Sequence, residues 1–382
     1  MKFVAIGLGV VGLAAAGTVI GAMASEYNPA PIEPAEQTCE SPKRSIQKDV
    51  PFEILSWNLQ YGASRKYQFF YDGGDAVHVA PEDVQWTLDA ASKVMEEIDP
   101  ELYLLQEVDR GSKRTGKVDQ LQDYLAAADT DCWAAAPYHK SPYVPVPSGD
   151  ALGKVDMELA LLSHAPMSHG ERIQLAMLDE ARVRRMFNLK RALLWAEVQV
   201  EGLDQPLAIA STHLSAFSYG DGTLEKQVQQ LNDWMAARPP GQPWILAGDM
   251  NLLPPGDDKD RLTQEADLYA DESNPIEPLF QAGWQEVFGD AQLDPENRTY
   301  VSFGQAEPDR KIDYIFYGGP IHVLEAEVVR GEALEISDHL PIRAQFVIGD
   351  KPQPASEDTL APTEPPADPV ELPVDPEAPL SE

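Results

Sequence analysis

With 382 residues, 43% of them hydrophobic and 24% charged, the chain can bury a large core and has the composition of a globular protein. Its unusual feature is a formal net charge of -34. A surface this negative repels polyphosphate chains and argues against a broad nucleic-acid groove, while leaving room for one local phosphate site.

Residues 1–24 read as a signal peptide: Lys2, an apolar stretch, then the small-x-small site Ala22-Met23-Ala24. The stretch from Phe3 to Ala24 is also long enough for an N-terminal membrane anchor, which takes ~20 apolar residues. Either reading places the protein outside the cytoplasm: periplasmic, extracellular, or held on the outer face of a membrane. Gly7-Leu8-Gly9-Val10-Val11-Gly12 matches a dinucleotide-binding fingerprint, but no second strand precedes Glu26, so these glycines belong to the apolar segment. Residues 25–48 are polar and Pro-rich and read as a linker. The two cysteines, Cys39 and Cys132, allow one disulfide tying this linker to the domain, or two unpaired thiols.

Residues 49–349 form the folded domain. Strand patterns cover Phe52–Trp57, Leu102–Gln106, Leu159–Leu162, Ala192–Val198, Leu207–Thr212, Trp244–Ala247, Ile312–Tyr317, His322–Val329 and Ile342–Val347. Helical spacing covers Val84–Ile98, Val118–Ala128 and Leu224–Ala237. The order implies an α/β fold with a two-sheet core covered by helices. Residues 350–382 are acidic, Pro-rich and of low complexity, a composition that cannot bury a core and that predicts a disordered tail.

Polar residues at strand ends carry the chemistry. Asn58 ends ILSWN and Glu107 ends LYLLQE, offering a neutral oxygen and a carboxylate to a hard cation. Asp249 and Asn251 follow WILAG, and their i, i+2 spacing puts both on one side of an extended chain. There a carboxylate can take a proton from water and a carboxamide can donate to a phosphate oxygen. Asp338-His339 precedes the last strand, and Asp313 in KIDYIF is the candidate to orient the His339 imidazole. His213, after LAIAST, is by itself most simply a satisfied core histidine and gains weight from this company.

The ordered set WN, QEVD, STHLS, GDMN, KIDYIF and SDHLP resembles the endonuclease/exonuclease/phosphatase superfamily, the deoxyribonuclease I-like fold, over about residues 50–348. The resemblance implies a four-layer α/β sandwich of two packed, mostly antiparallel sheets flanked by helices. It also implies metal-dependent hydrolysis of phosphoester bonds with Mg²⁺, or Mn²⁺ as the alternative. Carried across, Asn58 and Glu107 are the metal ligands, with Asp338 supporting the metal or its waters. Asp249 positions or deprotonates the attacking water, Asn251 binds phosphate, Asp313 and His339 form a pair, and His213 is the second histidine. One departure stands out. Where relatives carry Gly-Asn, this chain has Met157-Glu158, and the acid either points elsewhere or repels a second substrate phosphate.

Substrate signals lie in the loops. Tyr67-Gln68-Phe69-Phe70-Tyr71 follows the first ligand strand, so its aromatics are expected at the pocket rim or packed beneath the loop. ARVRRMFNLKR holds Arg182, Arg184, Arg185, Lys190 and Arg191, with Arg191 the candidate phosphate contact; Arg110, Lys113 and Arg114 are expected to add to a positive mouth. The expectation is a phosphodiesterase on a phospholipid-type or small phosphate ester, resembling the sphingomyelinase and lipid-phosphodiesterase branches. A secreted nuclease and a non-catalytic binding module are the alternatives.

Overall fold

The computed structural model describes residues 26–216, 220–269 and 274–349. The apolar N-terminal segment with its glycine pattern, and the acidic tail, lie outside these residues. Strands are numbered along the chain. The first eight are β1 (Ile32–Pro34), β2 (Glu36–Thr38), β3 (Ile46–Gln47), β4 (Phe52–Asn58), β5 (Leu102–Asp109), β6 (Cys132–Val144), β7 (Gly153–Ser163) and β8 (Met167–Gln174). They are followed by β9 (Ala192–Val198), β10 (Val200–Glu201), β11 (Leu207–His213), β12 (Trp244–Asp249), β13 (Gln285–Glu286), β14 (Asp313–Gly318), β15 (Ile321–Val328) and β16 (Ile342–Ile348). One seven-stranded sheet runs β1-β8-β9-β11-β12-β14-β13 and the other runs β15-β16-β4-β5-β7-β6-β2.

The sheets pack face to face with helices outside, the four-layer α/β sandwich that the sequence implied. Period-two alternation decides which residues face where. In β9, Leu194 and Ala196 join the core between the sheets. Their neighbours Leu193 and Trp195 turn outward and pack with Leu224, Val228, Leu231 and Trp234 of a covering helix, Thr223–Ala236. On the other sheet, helix α1 (Pro81–Ile98) buries Val84, Leu88, Ala91 and Met95, a stripe at helical spacing. Pro81 begins it, Glu82 and Asp83 complement its N-terminus, and Asp99 closes it in the left-handed conformation before Pro100. Helix α2 (Gln120–Ala127) packs beside it.

Among the described residues, two neighbouring pairs within these large sheets are parallel, β4–β5 and β11–β12. A parallel pair ends both strands at the same edge, so Asn58 is level with Gln106 and His213 with Asp249. Antiparallel β14 starts at that edge, where Asp313 faces Asp249. Antiparallel β16 places its preceding residues, Asp338 and His339, next to the end of β4. The topology therefore gathers all these strand ends at one rim.

Three elements differ from the sequence reading. Strand β6 hides behind its Ala run and Pro137, which sits where the β6–β7 register shifts; a proline is accommodated there because a bulge relaxes the hydrogen-bond ladder. Strand β8 (MSHGERIQ) is too polar to show the alternation. The Pro-rich stretch is also more than a linker: β1 pairs with β8 and β2 with β6, so it adds an edge strand to each sheet. The Gln37 side chain accepts from Gly170 N–H at 2.7 Å, and Cys39 and Cys132 are disulfide-bonded. Among the described residues, no helix is long and apolar enough to cross a membrane.

Candidate active site

The shared rim opens into a pocket of about 560 Å³. Its floor is Glu107, His213, Asp249, Asn251, Asp338 and His339. Several floor residues need unusual backbone. Glu107 (φ 59°) sits where β5 and β7 lose register, and Gln60, Tyr61 and Asn251 are also left-handed. Non-glycine residues hold this conformation only where their surroundings over-determine it, and such residues cluster at functional sites. Gly248 has φ 142°, and a Cβ there would lie 1.9 Å from the Thr212 carbonyl oxygen. Only glycine allows β11 and β12 to approach closely enough to set His213 beside Asp249.

His339 Nδ1 lies 2.9 Å from Asp313 Oδ2, so the carboxylate fixes the ring and leaves Nε2 facing the pocket. Burial disfavours the imidazolium, but Asp313 and then Asp249 outweigh it and hold the His339 pKa well above its usual value. Arg310 and Lys311 do not take Asp313's side chain: Arg310 binds Asp309, and Lys311 pairs with Glu286. His213 is a different histidine. Burial, then Arg191 and His339, push its pKa well below normal, so the ring is neutral. Tyr138 Oη lies 3.2 Å from its Nδ1, and Asp249 Oδ2 lies 3.2 Å from its Nε2. With Tyr138 donating to Nδ1, Nε2 carries the proton towards Asp249.

Asp249 thus stands between two imidazoles, its Oδ2 also 3.6 Å from His339 Nε2. Burial raises its pKa to about 7 against the opposing pull of His339. The extended geometry expected after β12 does not continue. Asp249 Oδ1 accepts from Asn251 N–H at 2.9 Å, closing a turn, and this turn delivers Asn251 to the pocket, where its Nδ2 donates to the Leu214 carbonyl.

The predicted metal ligands meet only in part. Glu107 and Asp338 both face the pocket. Burial raises the pKa of each carboxyl, and Asp338 is the next largest cause for Glu107. Two carboxyls in this state suit a bound divalent cation, which relieves both burdens. Asn58 behaves differently: its Oδ1 accepts from Gln60 N–H, while Nδ2 donates to Asp249 (3.1 Å) and Glu107 (3.3 Å). In this arrangement it ties the two carboxylates together instead of offering an oxygen. Asp249, Asp313 and His339 also bring ligand atoms within 4.8 Å of one another and could hold a metal ion. The Asp313–His339 bond already occupies Nδ1 of the ring, which favours an oriented imidazole over a ligand.

Arg191 is buried against the Tyr138 ring, and its Nη1 has no hydrogen-bond partner. Arg184 and Arg185 line the pocket; Lys190 instead donates to the Arg185 and Asn188 carbonyls. Of the expected positive mouth after Glu107, only Arg114 reaches the pocket, stacked 3.5 Å over Tyr61 and held by both Asp109 oxygens. Arg110 turns to Glu36, Asp119 and Glu158, and Lys113 to the Ala151 carbonyl. Glu158 is held by Arg110 and does not line the pocket. In the aromatic segment Phe69 is buried, whereas Phe70 and Tyr71 reach the pocket.

Sequence reasoning missed Gln60, whose Oε1 accepts from Asp338 N–H at 3.3 Å, along with Tyr138 and Tyr300, the latter edge-on to His339. Gln60 carried a usable signal, two residues beyond Asn58 and beside Tyr61-Gly62 at a strand end.

Residues 55–339 match the model of the Endonuclease/Exonuclease/phosphatase family, and the chain belongs to that family. Its members are divalent-metal-dependent hydrolases of phosphoester bonds. Among solved structures, it is similar to an endonuclease/exonuclease/phosphatase from Beutenbergia cavernae DSM 12333, with TM-score 0.56 and 22% identity over 78% of this chain and 72% of that one. It also resembles the endonuclease/exonuclease/phosphatase from Bacteroides vulgatus, with TM-score 0.50 and 13% identity over 78% of this chain and 99% of that one. No curated protein matches the chain.

Proposed function

We propose that the protein is an extracytoplasmic phosphodiesterase acting on a phospholipid-type or small phosphate ester. The observation that carries this reading is Arg191: a buried guanidinium with a free Nη1, in the same pocket as the His213–Asp249–His339 array. A buried, unpartnered cationic donor is costly unless an anion completes it, and a phosphoryl oxygen has the matching charge and geometry. One wall of the pocket supports an apolar organic group on the ester: Val144, Val146, Leu152, Met157, Phe187 and Leu189.

Glu107 and Asp338 would hold the metal ion, Mg²⁺ or Mn²⁺, with Asn58 fixing the Glu107 carboxylate. When bound, the ion supplies positive charge to phosphoryl oxygens. Arg191 and Asn251 bind and orient the phosphoryl group. Asp249 positions the attacking water and accepts its proton. His339, kept protonated by Asp313, faces the charge that grows on phosphorus-bound oxygen. His213 places its Nε2–H beside Asp249 and holds that carboxylate in line.

A substrate panel tests the reading: a generic phosphodiester, sphingomyelin, phosphatidylinositol and plasmid DNA, each with Mg²⁺ and with EDTA. The expected result is EDTA-sensitive hydrolysis of a lipid or small diester. Cleavage of DNA alone would make the protein a nuclease, and no turnover on any substrate would make it a binding module.

A further inference from the structure

Four large apolar side chains around the pocket mouth are exposed: Val183 (66%), Tyr143 (57%), Val146 (48%) and Tyr71 (44%). They come from three separate segments. Tyr71 follows the first site strand, Tyr143 lies at the end of β6 and Val146 in the connection to β7, and Val183 lies on the short helix Arg182–Arg185. Tyr71 and Val146 line the pocket itself, as do Arg184 and Arg185, the neighbours of Val183. Among the described residues, apolar side chains from three separate segments thus stand exposed around one pocket mouth.

Charge on that rim also runs against the rest of the molecule. In a chain of net charge -34, Arg182, Val183, Arg184 and Arg185 form one turn. None of its three arginines makes an ion pair among the described residues, and Arg185 donates only to the Glu180 carbonyl. Two of the nearby acids are engaged elsewhere, Glu180 accepting from Asn188 and Asp150 meeting His78 and Lys113, while Asp72 beside Tyr71 also lines the pocket. Apolar tips flanked by unpaired arginines are the composition of a surface that inserts at a headgroup boundary.

The route of the N-terminal chain supplies a third, independent observation. The apolar stretch Phe3–Ala24 joins the described fold at Glu26, and Glu26 acts electrostatically on Lys190. Tyr27 lies against the guanidinium of Arg172, which in turn donates to the Lys190 carbonyl. Lys190 ends the basic loop that begins at Arg182 and immediately precedes Arg191. The chain therefore enters the fold on the flank of the pocket that carries the exposed rim, where an apolar N-terminal segment would hold that rim towards a bilayer.

We infer that the rim formed by Tyr71, Tyr143, Val146 and Val183, with Arg182, Arg184 and Arg185, docks on an anionic lipid bilayer and presents the pocket to esters embedded in it. This rests on the lipid-type reading of the substrate, but it concerns a surface outside the catalytic groups and is tested without turnover.

The full chain, carrying a fluorophore at Val183→Cys, Tyr143→Cys or, on the opposite edge strand, Leu324→Cys, is mixed with vesicles of phosphatidylcholine and phosphatidylglycerol. Labels at 183 and 143 are expected to be shielded from an aqueous quencher, with the label at 324 remaining accessible. Equal quenching at all three positions would overturn the docking surface. A second arm compares wild type with the Tyr143→Asp/Val183→Asp double variant, neither residue lining the pocket. The variant is expected to lose roughly tenfold or more in rate on a vesicle-embedded ester, since each apolar side chain withdrawn from the bilayer is worth about that factor. It should retain its rate on the same ester in short-chain, soluble form. Equal rates of wild type and variant on vesicles would also overturn the proposal. Absence of hydrolysis on either ester would instead strike the catalytic reading and leave the quenching result to stand on its own.

Discussion

The pocket floor and the pocket rim are built by different means. The floor is a set of strand ends whose positions follow from sheet register: Asn58 against Gln106, His213 against Asp249, Asp249 against Asp313. The rim is made largely of loops and one short helix, and its positions follow from side-chain contacts such as Arg114 with Asp109 and Tyr71 and Asn188 with Glu180. A floor fixed by backbone hydrogen bonds suits chemistry that tolerates little displacement. A rim fixed by side chains suits substrate choice, because loops change without disturbing the sheets. Chemistry and specificity are thus assigned to separable parts of the molecule.

The sharpest way to break this division is at the floor. Glu107→Gln removes one of the two pocket carboxyls proposed for the metal, and His339→Ala removes the imidazole that Asp313 orients. Each is expected to lower turnover by at least ~10³-fold while leaving the fold intact. The check is kcat on the responsive substrate together with a thermal melt. Near-wild-type hydrolysis in either variant would remove the floor from the mechanism.

A second test asks whether the floor depends on the edge clip. Cys39 and Cys132 close a loop across a sequence separation of 93 and tie the β1–β2 strap to the sheets. Cys39→Ser is expected to reduce unfolding stability by about 2–4 kcal/mol, mainly by releasing the unfolded chain. At temperatures where the variant stays folded, kcat should be unchanged, because no floor residue lies on the strap. A fall in kcat equal to that of the floor variants would show that strap and site are one unit.

Arg191 stands at the boundary between floor and rim. Arg191→Met keeps the apolar packing of the side chain against Tyr138 and removes the free guanidinium. The expected loss is about 10- to 100-fold in kcat/KM, the scale of one charge-assisted hydrogen bond. Arg191→Lys should recover little, since a point charge does not reproduce the planar fork. Full recovery by lysine would mean that charge alone serves there.

The same division decides what the sequence disclosed. Asn58, Glu107, His213, Asp249, Asp313 and His339 were legible because each ends or begins an apolar strand, and a polar group in that setting is conspicuous. Their partners were not. Tyr138 lies in a strand masked by Pro137, and Gln60 acts through a left-handed backbone that residue type does not announce. Arg110 and Arg114, four residues apart, looked equivalent in the sequence. The fold sends one to Glu158 and the other to Asp109, and only the second reaches the pocket. Loop side chains find partners far away in the chain, and those pairings are properties of the assembled sheets. The Pro-rich strap reads as a linker for the same reason, since two three-residue strands have no pattern of their own and form because both sheets offer an edge.

The smallest expected effect probes how the floor sets the state of one imidazole. Tyr138 Oη meets His213 Nδ1 at 3.2 Å, with Glu107 Oε1 3.4 Å from the same nitrogen; a Tyr138 O–H donated to Nδ1 leaves the ring's proton on Nε2 beside Asp249. Tyr138→Phe retains the ring and its packing under Arg191 and removes one neutral hydrogen bond, worth about 1 kcal/mol, or roughly fivefold in kcat. Simple loss of packing would give a similar number, so the informative measurement is the double-mutant cycle with His213→Ala. If Tyr138 acts by fixing the tautomer of His213, the Tyr138→Phe effect should vanish once the imidazole is gone. A fivefold loss persisting in the His213→Ala background would overturn the tautomer role and leave Tyr138, which is fully buried, a packing residue beneath Arg191.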